Sequence, residues 1–287
     1  MLGAIMGDIC GSPWEGGYCR GPEFELFHPS AQMTDDSVCS VAIADALLHH
    51  LPIADTLRNW CRRYPGLGYG SMFNAWVYRP SMGPYESWGN GGAMRCSACA
   101  WLAPSLQEAQ CLAELTAGVT HNHPEGLRGA RAVATAIWLA RQGSPARDIA
   151  AAVSAQGYVL GRSTHAWAER EPGATDAEET VPLAIDCALA AHSVEDAIRR
   201  AVYIGGDSDT TASMAAAVAE ARFGICESDA QKALSLITRE MRDIVTAVYE
   251  RAGAAMRVPD PVPSVATSST SISWWRRLWS GAGIWLV

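Results

Sequence analysis

The 287-residue sequence predicts an all-α protein, and three observations support this prediction. Apolar residues recur at helical spacing in many Ala-rich segments, and Ala is the strongest helix former. Residues typical of helix starts precede several segments, as Ser193 does before Val194. Convincing strand alternation is absent from the sequence. The length suits one large domain or two small ones, with a large buried core.

The composition narrows the classes of function. Hydrophobic residues make up 49% and charged residues 18% of the chain, which is typical of a compact protein. The net charge of −8 with no basic run argues against nucleic acid as a partner. The start of the chain has no basic stretch and reaches Asp8 early, so we expect no secretory signal there. No apolar run approaches the roughly 18 residues that a membrane-spanning helix needs. Nine scattered cysteines favour a reducing compartment, so we expect a cytoplasmic protein.

Cys96 and Cys99 form a C-x-x-C pair in a helical-looking run, 93–103. A structural zinc site needs a second pair of ligands, and none accompanies this one. We therefore interpret both cysteines as small core residues.

The first predicted helix covers Leu2 to Ser12, and Pro13 ends it. Its glycines recur every fourth residue, at Gly3, Gly7 and Gly11, which gives one smooth face for close contact with another helix. Glu15 follows in a loop.

A second helix follows Thr34-Asp35-Asp36 and continues through Leu48. One carboxylate suffices to cap a helix, and two adjacent carboxylates repel each other. The sequence therefore indicates a role beyond capping for Asp35 and Asp36.

A similar acidic cluster, Gly205-Gly206-Asp207-Ser208-Asp209-Thr210, precedes the Ala-rich helix that continues to Ala221. Taken alone, Asp207 or Asp209 would most simply cap this helix. Two acidic clusters at helix starts instead predict a site for two divalent cations, which favour oxygen ligands. The candidate carboxylates are Glu15, Asp35, Asp36, Asp207 and Asp209, with neutral oxygens from Thr34 and Thr210.

A Gly- and aromatic-rich stretch, 64–88, is predicted to be a long loop after a helix near 54–63. It ends in Gly89-Asn90-Gly91-Gly92, before a helix that we predict from Ala93. These glycines allow close approach of the backbone to a ligand, and the turn is interpreted either as a phosphate cradle or as an ordinary turn.

His121 and His123 stand between a predicted helix over 106–120 and another over 125–142, which Pro124 introduces. No further zinc ligand lies nearby, so we expect one histidine to line a pocket and the other to be solvated. Further helices are predicted near 146–155, 178–192, 197–204 and 226–251, with a loop at 161–165.

The composition changes after Arg257, which divides the chain into a domain over 1–257 and a tail over 258–287. The tail begins as a Pro/Ser/Thr-rich linker and ends in a Trp- and Arg-containing segment, 274–287. This segment is equally compatible with a membrane-surface or partner contact and with an extension that has no role.

Five motifs, in this order, resemble the ADP-ribosylglycohydrolase family, which includes dinitrogenase-reductase-activating glycohydrolases and ADP-ribosyl-acceptor hydrolases. They are Gly7-Asp8 with Glu15, Thr34-Asp35-Asp36-Ser37, Gly89-Asn90-Gly91-Gly92-Ala93-Met94-Arg95, Thr120-His121, and Gly205-Gly206-Asp207-Ser208-Asp209-Thr210. The resemblance runs from Gly3 to about Ala252. It implies a compact all-α bundle with a central dinuclear metal cleft, holding two Mg²⁺, or Mn²⁺ in some relatives.

The resemblance also implies roles for individual residues. Metal ligands would be Thr34, Asp35, Asp36, Asp207, Asp209 and Thr210, and catalytic residues would be Glu15, Asp36 and Asp209. Substrate contacts would come from Ser87, Trp88, Gly89, Asn90, Gly91, Met94 and His121, and from Gly68 or Gly70 in the loop across the cleft. Ser37 and Ser208 depart from the Thr of many relatives. The adenine-stacking residue stays open among Tyr69, Phe73, Met82 and Tyr85.

The expected reaction is hydrolysis of the bond at C1 of the distal ribose, which releases ADP-ribose from an ADP-ribosylated protein, with arginine as the favoured acceptor. Carboxylates would stabilise the positive charge that develops on the ribose, and Glu15 would orient the attacking water or relay its proton. The alternatives are a non-catalytic member that binds metal and ADP-ribose or a partner, and a hydrolase of small ADP-ribose conjugates.

Overall fold

The computed structural model describes residues 1–17, 19, 24–170 and 173–253. The predicted linker and tail, 258–287, lie outside the described residues. The helices are α1 Leu2–Gly11, α2 Asp35–Leu48, α3 Ile53–Arg63, α4 Ser71–Tyr78, α5 Gly91–Met94, α6 Ser97–Leu102, α7 Leu106–Ala117, α8 Pro124–Arg141, α9 Ala146–Ser154, α10 Thr164–Ala168, α11 Ala177–Ala190, α12 Val194–Ile204, α13 Ser208–Phe223, α14 Glu227–Ser235 and α15 Arg239–Arg251. A short 3-10 turn, Ser12–Trp14, follows α1.

The all-α prediction is confirmed. Within the described ranges, extended pairing is limited to two isolated bridges, Gly17 with Gly206 and Gly89 with Asp176. Both bridges join loops that carry predicted site residues.

Two local predictions were wrong. The stretch 64–88 contains the helix α4, because Phe73, Trp76 and Val77 recur at helical spacing and are all buried. The run 93–103 is not one helix: it breaks between α5 and α6, where Arg95 leaves the helical conformation at φ −93° and ψ 0°. At this break the Arg95 side chain is fully buried and donates to the carbonyls of Thr116 and Ala117.

Helix α13 is the centre of the core and packs against α1, α8, α11 and α12. All ten residues of α1 and nearly all of α13 are buried. Both helices are built mainly from small and apolar residues, so they can be buried on every side.

The glycines of α1 make its contact with α13 very close, as their spacing predicts. A Cβ atom built on Gly3 would lie 2.4 Å from the carbonyl oxygen of Ala216, and one on Gly7 would lie 2.2 Å from that of Ala212. A Cβ atom on Gly11 would lie 2.6 Å from the Asp209 Cα atom. Each clash is with backbone, which cannot move aside as a flexible side chain can.

The buried Glu220 of α13 ties the first turn of α1 to the fold. Its Oε2 atom accepts a hydrogen bond of 2.8 Å from the amide of Gly3. The hydroxyl of Tyr249 in α15 donates to Glu220 Oε1 and accepts from the Leu2 amide at 2.8 Å. Side chains from two other helices therefore satisfy amides that an α-helix leaves unpaired at its start.

All nine cysteines are free. Cys96 and Cys99 are buried, and their thiols contact the Ala130 carbonyl and the Thr116 hydroxyl at 3.4 Å. Their interpretation as core residues is confirmed. Among the described residues, none of the helices is long and apolar enough to cross a membrane.

We expect Gly7→Ala to lower the free energy of unfolding by about 2 kcal/mol or more, because the added methyl forces α1 away from the α13 backbone. The measurement is chemical unfolding followed by circular dichroism. The control is Gly83→Ala, since a Cβ atom on Gly83 meets nothing within 4 Å. Equal stability of the two variants would contradict the close-contact interpretation.

Candidate active site

Three buried carboxylates from distant parts of the chain meet at one point. Asp8 from α1, Asp36 from α2 and Asp209 from α13 each offer an oxygen atom, and these oxygens lie within 4.8 Å of one another. Thr210 joins the group, since its hydroxyl donates to Asp36 Oδ2 at 3.0 Å. The structure thus brings together the two acidic clusters that sequence analysis singled out.

Asp8 was not predicted to belong to this cluster. Its carboxylate accepts hydrogen bonds from the Thr34 amide at 3.0 Å, the Thr34 hydroxyl at 2.6 Å and the Ser37 amide at 3.0 Å, and also from the Ser37 hydroxyl. Asp8 therefore holds the start of α2 in place. An acid inside an otherwise apolar helix was the signal that could have identified it.

Two oxygens of the cluster have no hydrogen-bond donor. Asp36 Oδ1 and Asp209 Oδ1 are buried and unpaired among the described residues. Buried carboxylate oxygens are strongly destabilising unless they are hydrogen-bonded, protonated or bound to a cation. Hard oxygen ligands of this kind suit Mg²⁺ or Ca²⁺, so the donor set fits a divalent cation.

Burial, and then repulsion between neighbouring carboxylates, raises the pKa of these acids. The pKa of Asp209 rises to about 9 and that of Asp35 to about 8, while that of Asp36 lies well above its usual range. Burial raises the pKa of Asp8 to only about 6, since hydrogen bonds from Ser37 and Thr34 oppose the effect. Positive charge, as protons or as a metal ion, is therefore strongly favoured at this site.

The helix starts show that capping does not explain the acids. Thr34 caps α2, since its hydroxyl accepts from the Asp36 amide at 3.4 Å. Asp207 occupies the N-cap position of α13, but its side chain makes no capping hydrogen bond. Its Oδ2 atom instead accepts from the side-chain amide of Asn90 at 2.6 Å. The Asp207 side chain therefore does not have the capping role that was the alternative to a metal-binding role.

Glu15 and Asp35 lie at the edge of the cluster. Glu15 is exposed, and its loop is held beside the Asp207 loop by a 2.8 Å hydrogen bond from the Gly16 amide to the Gly206 carbonyl. Partial burial and the charge of Asp207 raise the pKa of Glu15. The half-buried Asp35 donates its amide to the Leu67 carbonyl at 2.9 Å.

Gly68 and Gly70, the two glycines predicted to lie across the cleft, have different surroundings. A Cβ atom on Gly68 would come within 3.3 Å of Asp35 Oδ1, whereas one on Gly70 would meet nothing within 4 Å. Gly70 forms the N-cap of α4. Only Gly68 of this pair therefore contacts the acidic cluster.

The glycine-rich turn, 89–92, is connected to Asp207 by the hydrogen bond from the Asn90 side chain. The backbone amide of Asn90 donates to the Thr175 carbonyl at 3.0 Å, and the backbone amide of Gly89 donates to the Ser87 hydroxyl at 3.2 Å. These two amides are engaged within the protein, so the phosphate-cradle interpretation can apply only to the later part of the turn, Gly91 and Gly92.

The two histidines have separate environments. His121 is buried, and its Nε2 atom would lie 2.9 Å from a Cβ atom built on Gly91. His123 is half-buried, accepts from the Glu125 amide at 3.2 Å as the cap of α8, and meets the Trp88 ring edge-on. His121 thus faces the turn, whereas His123 serves the next helix.

The four candidate residues for stacking on adenine are all packed against other side chains, whereas the nearby ring of Trp88 is exposed. Tyr69 stacks on Phe73, while Tyr85 and Met82 pack against the core. Trp88 is 61% exposed beside the turn. Trp88 is among the predicted substrate contacts but not among the residues predicted to stack on adenine.

Met94 is buried in the hydrophobic core, and its carbonyl accepts from the Ser40 hydroxyl at 3.4 Å. Its side chain therefore has a packing role, and contact with substrate stays a prediction. Asp207 also lines a small pocket, together with Trp167, Arg170, Glu179 and Leu183, among others.

The comparisons with known proteins concern the family and the fold. The family model described as ADP-ribosylglycohydrolase matches residues 1–258. The chain is 26% identical to ADP-ribosylhydrolase ARH3 of Danio rerio over 78% of its own length and 82% of that protein. It is 25% identical to the Homo sapiens protein of the same name, over 78% of its own length and 84% of that protein.

Other matches are shorter or concern only the fold. The match to the Gallus gallus ARH3 protein, at 26% identity, covers 52% of this chain and spans about half, 51%, of that protein. A solved structure titled "ADP-ribosylglycohydrolase-related protein complex" superposes with a TM-score of 0.67 at 23% identity, over 88% of this chain and 97% of that one. Because the family model covers most of the sequence, this chain belongs to the ADP-ribosylglycohydrolase family.

Proposed function

We propose that this protein hydrolyses the bond between C1 of the distal ribose of ADP-ribose and a modified protein side chain, releasing ADP-ribose, with divalent cations at the acidic cluster. The ADP-ribosylhydrolase names of the relatives support the reaction class. The observation that carries the proposal is the pair of buried oxygens, one on Asp36 and one on Asp209, that have no hydrogen-bond partner among the described residues.

The metal would be held from two sides, by Thr34, Asp35 and Asp36 at the start of α2 and by Asp207, Asp209 and Thr210 at the start of α13. With Asp8, which the structure adds to the cluster, six carboxylates face the four positive charges of two divalent cations. They belong to Asp8, Glu15, Asp35, Asp36, Asp207 and Asp209. Mg²⁺ is the proposed metal, with Mn²⁺ as the alternative. Cations in this position supply charge that orients the ribose hydroxyls and makes water a nucleophile at neutral pH.

Glu15 is the proposed acid–base residue. It is the exposed acid of the set, so it can reach the scissile bond while the buried carboxylates stay with the metal. The raised pKa of Glu15 helps it to exchange a proton with the attacking water. The neighbouring carboxylates stabilise the positive charge that develops on the ribose as the leaving group departs.

The turn over 87–92 is the proposed binding surface for the rest of ADP-ribose. Asn90 joins this turn to the Asp207 loop, so the ribose and the diphosphate would lie side by side. We propose Trp88 as the adenine platform, because its ring is exposed and an exposed aromatic face stacks well on a base.

Arginine is the favoured acceptor. Its guanidinium is a cation with a planar set of donors, which suits a site edged by Glu15 and Asp207. The free cysteines are compatible with an activity in the cytoplasm.

Removal of ADP-ribose from small conjugates is the second candidate function, since the exposed Glu15 leaves the site open to small acceptors too.

The deciding experiment offers the purified full-length protein Arg-, Ser- and Thr-linked ADP-ribosylated peptides and measures ADP-ribose release with Mg²⁺ or with chelator. We expect release from the Arg-linked peptide that depends on Mg²⁺. Faster release from another linkage would change the acceptor. Binding of ADP-ribose without release from any conjugate would identify a non-catalytic member of the family.

We expect Asp36→Ala and Asp209→Ala to abolish both ADP-ribose release and Mg²⁺ binding, because each removes an unpaired ligand oxygen. Mg²⁺ binding is measured by calorimetry, and helical content by circular dichroism, which should be unchanged. The control is Asp243→Ala, which removes a carboxylate that is 72% exposed on α15. Full activity of both variants in excess chelator would disprove the metal site.

We expect Glu15→Gln to lower kcat by about 10²- to 10⁴-fold, the usual contribution of a general acid or base. Mg²⁺ binding should weaken much less than in the Asp36 and Asp209 variants, because Glu15 lies at the edge of the cluster. The matched control is Glu250→Gln, an exposed position on α15. An unchanged kcat for Glu15→Gln would assign the acid–base role to another residue.

A further inference from the structure

Arg95 is an unusual buried cation. Its side chain is fully buried, and none of the ion pairs among the described residues includes it. One terminal nitrogen, Nη2, donates to the carbonyls of Thr116 at 3.1 Å and Ala117 at 3.3 Å and to the Thr120 hydroxyl at 2.7 Å. A buried charge without an ionic partner is destabilising, so a functional reason for Arg95 is expected.

The contact with Thr120 settles the direction of one hydrogen bond. Arginine has only donors, so the Thr120 oxygen must accept from it. The hydroxyl proton of Thr120 can then go to His121 Nδ1 at 2.7 Å or to the Ala117 carbonyl at 3.5 Å. Hydroxyl hydrogen bonds are strongest near 2.7–2.8 Å, so we assign the proton to the shorter contact, with His121.

The direction of this bond determines the tautomer of His121. A ring nitrogen that accepts a hydrogen bond carries no proton, and a neutral imidazole then carries its proton on the other nitrogen, Nε2. Burial, and then the charge of Arg95, lowers the pKa of His121 well below its usual range, which keeps the ring neutral.

The Nε2 atom points at the glycine-rich turn. It would lie 2.9 Å from a Cβ atom on Gly91 and 3.6 Å from one on Gly89. No described residue accepts a hydrogen bond from it. The donor is therefore directed at the surface where the ADP-ribose is proposed to bind.

We propose that Arg95 is a positioning residue, which acts through Thr120 to hold His121 as the Nε2–H tautomer, so that the ring donates a hydrogen bond to an oxygen of the bound ADP-ribose. The identity of the ligand rests on the proposed function, whereas the tautomer does not. Gly91 is required in this arrangement because a side chain there would cover the donor.

The tautomer is measured by two-dimensional ¹H–¹⁵N NMR of the full-length protein labelled on histidine, with His121→Gln to assign the resonance. We expect an unprotonated Nδ1 and a protonated Nε2. Thr120→Ser, which keeps the hydroxyl, should preserve this pattern, and Thr120→Val, which has nearly the same shape without it, should lose it. A protonated Nδ1 in the wild type, or an unchanged pattern in Thr120→Val, would overturn the proposal. If Thr120→Val does not fold, the wild-type spectrum still decides the tautomer.

The binding consequence is measured by calorimetry with ADP-ribose. Thr120→Val should weaken binding about tenfold, the effect of one lost hydrogen bond to a charged ligand, and Thr120→Ser should match the wild type. Equal affinities of the two variants would overturn the role of the donor. A wild type that binds no ADP-ribose but shows the Nε2–H tautomer would instead disprove the proposed function and leave the Arg95–Thr120–His121 arrangement standing.

Discussion

The backbone contact between α1 and α13 is the constraint on which the rest of the structure depends. Glycines at every fourth position of α1 let the two helices approach until any Cβ atom would strike the opposing backbone. Asp8 follows Gly7 directly, and Asp209 lies opposite Gly11. The close approach therefore places two carboxylates from opposite ends of the chain at one point, and Asp8 then fixes the start of α2 and Asp36.

The site that results is electrostatically unfavourable without a cation. Burial and repulsion raise the pKa values of Asp35, Asp36 and Asp209, and two oxygens have no donor within the described part of the protein. Asp8 accepts four hydrogen bonds, which oppose the effect of burial, and its pKa therefore rises only to about 6. The rigid core around α13 is what holds these like charges together.

Arg95 is a buried cation, as Asp36 and Asp209 are buried acids. Within the described part of the chain it has no carboxylate partner, and its hydrogen bonds go to two carbonyls and the Thr120 hydroxyl. The break between α5 and α6 lets this side chain reach them. That break escaped prediction because it accompanies hydrogen bonds to residues more than twenty positions away, which override local helix preference. The helix α4 was missed for a different reason: its apolar residues recur at helical spacing, but the many glycines of the stretch 64–88 favoured a loop.

The sequence by itself determined the helical class, the glycine face of α1, the two acidic clusters at helix starts and the glycine-rich turn. These features are local, because they follow from composition and spacing within one segment. Only the tertiary structure decided that Asp8 joins the cluster, that the Asp207 side chain accepts from Asn90 and does not cap α13, and that Thr120 directs the His121 ring. Those outcomes depend on which atoms meet across the fold, since a hydrogen bond or an unpaired oxygen is defined only by its neighbours in space.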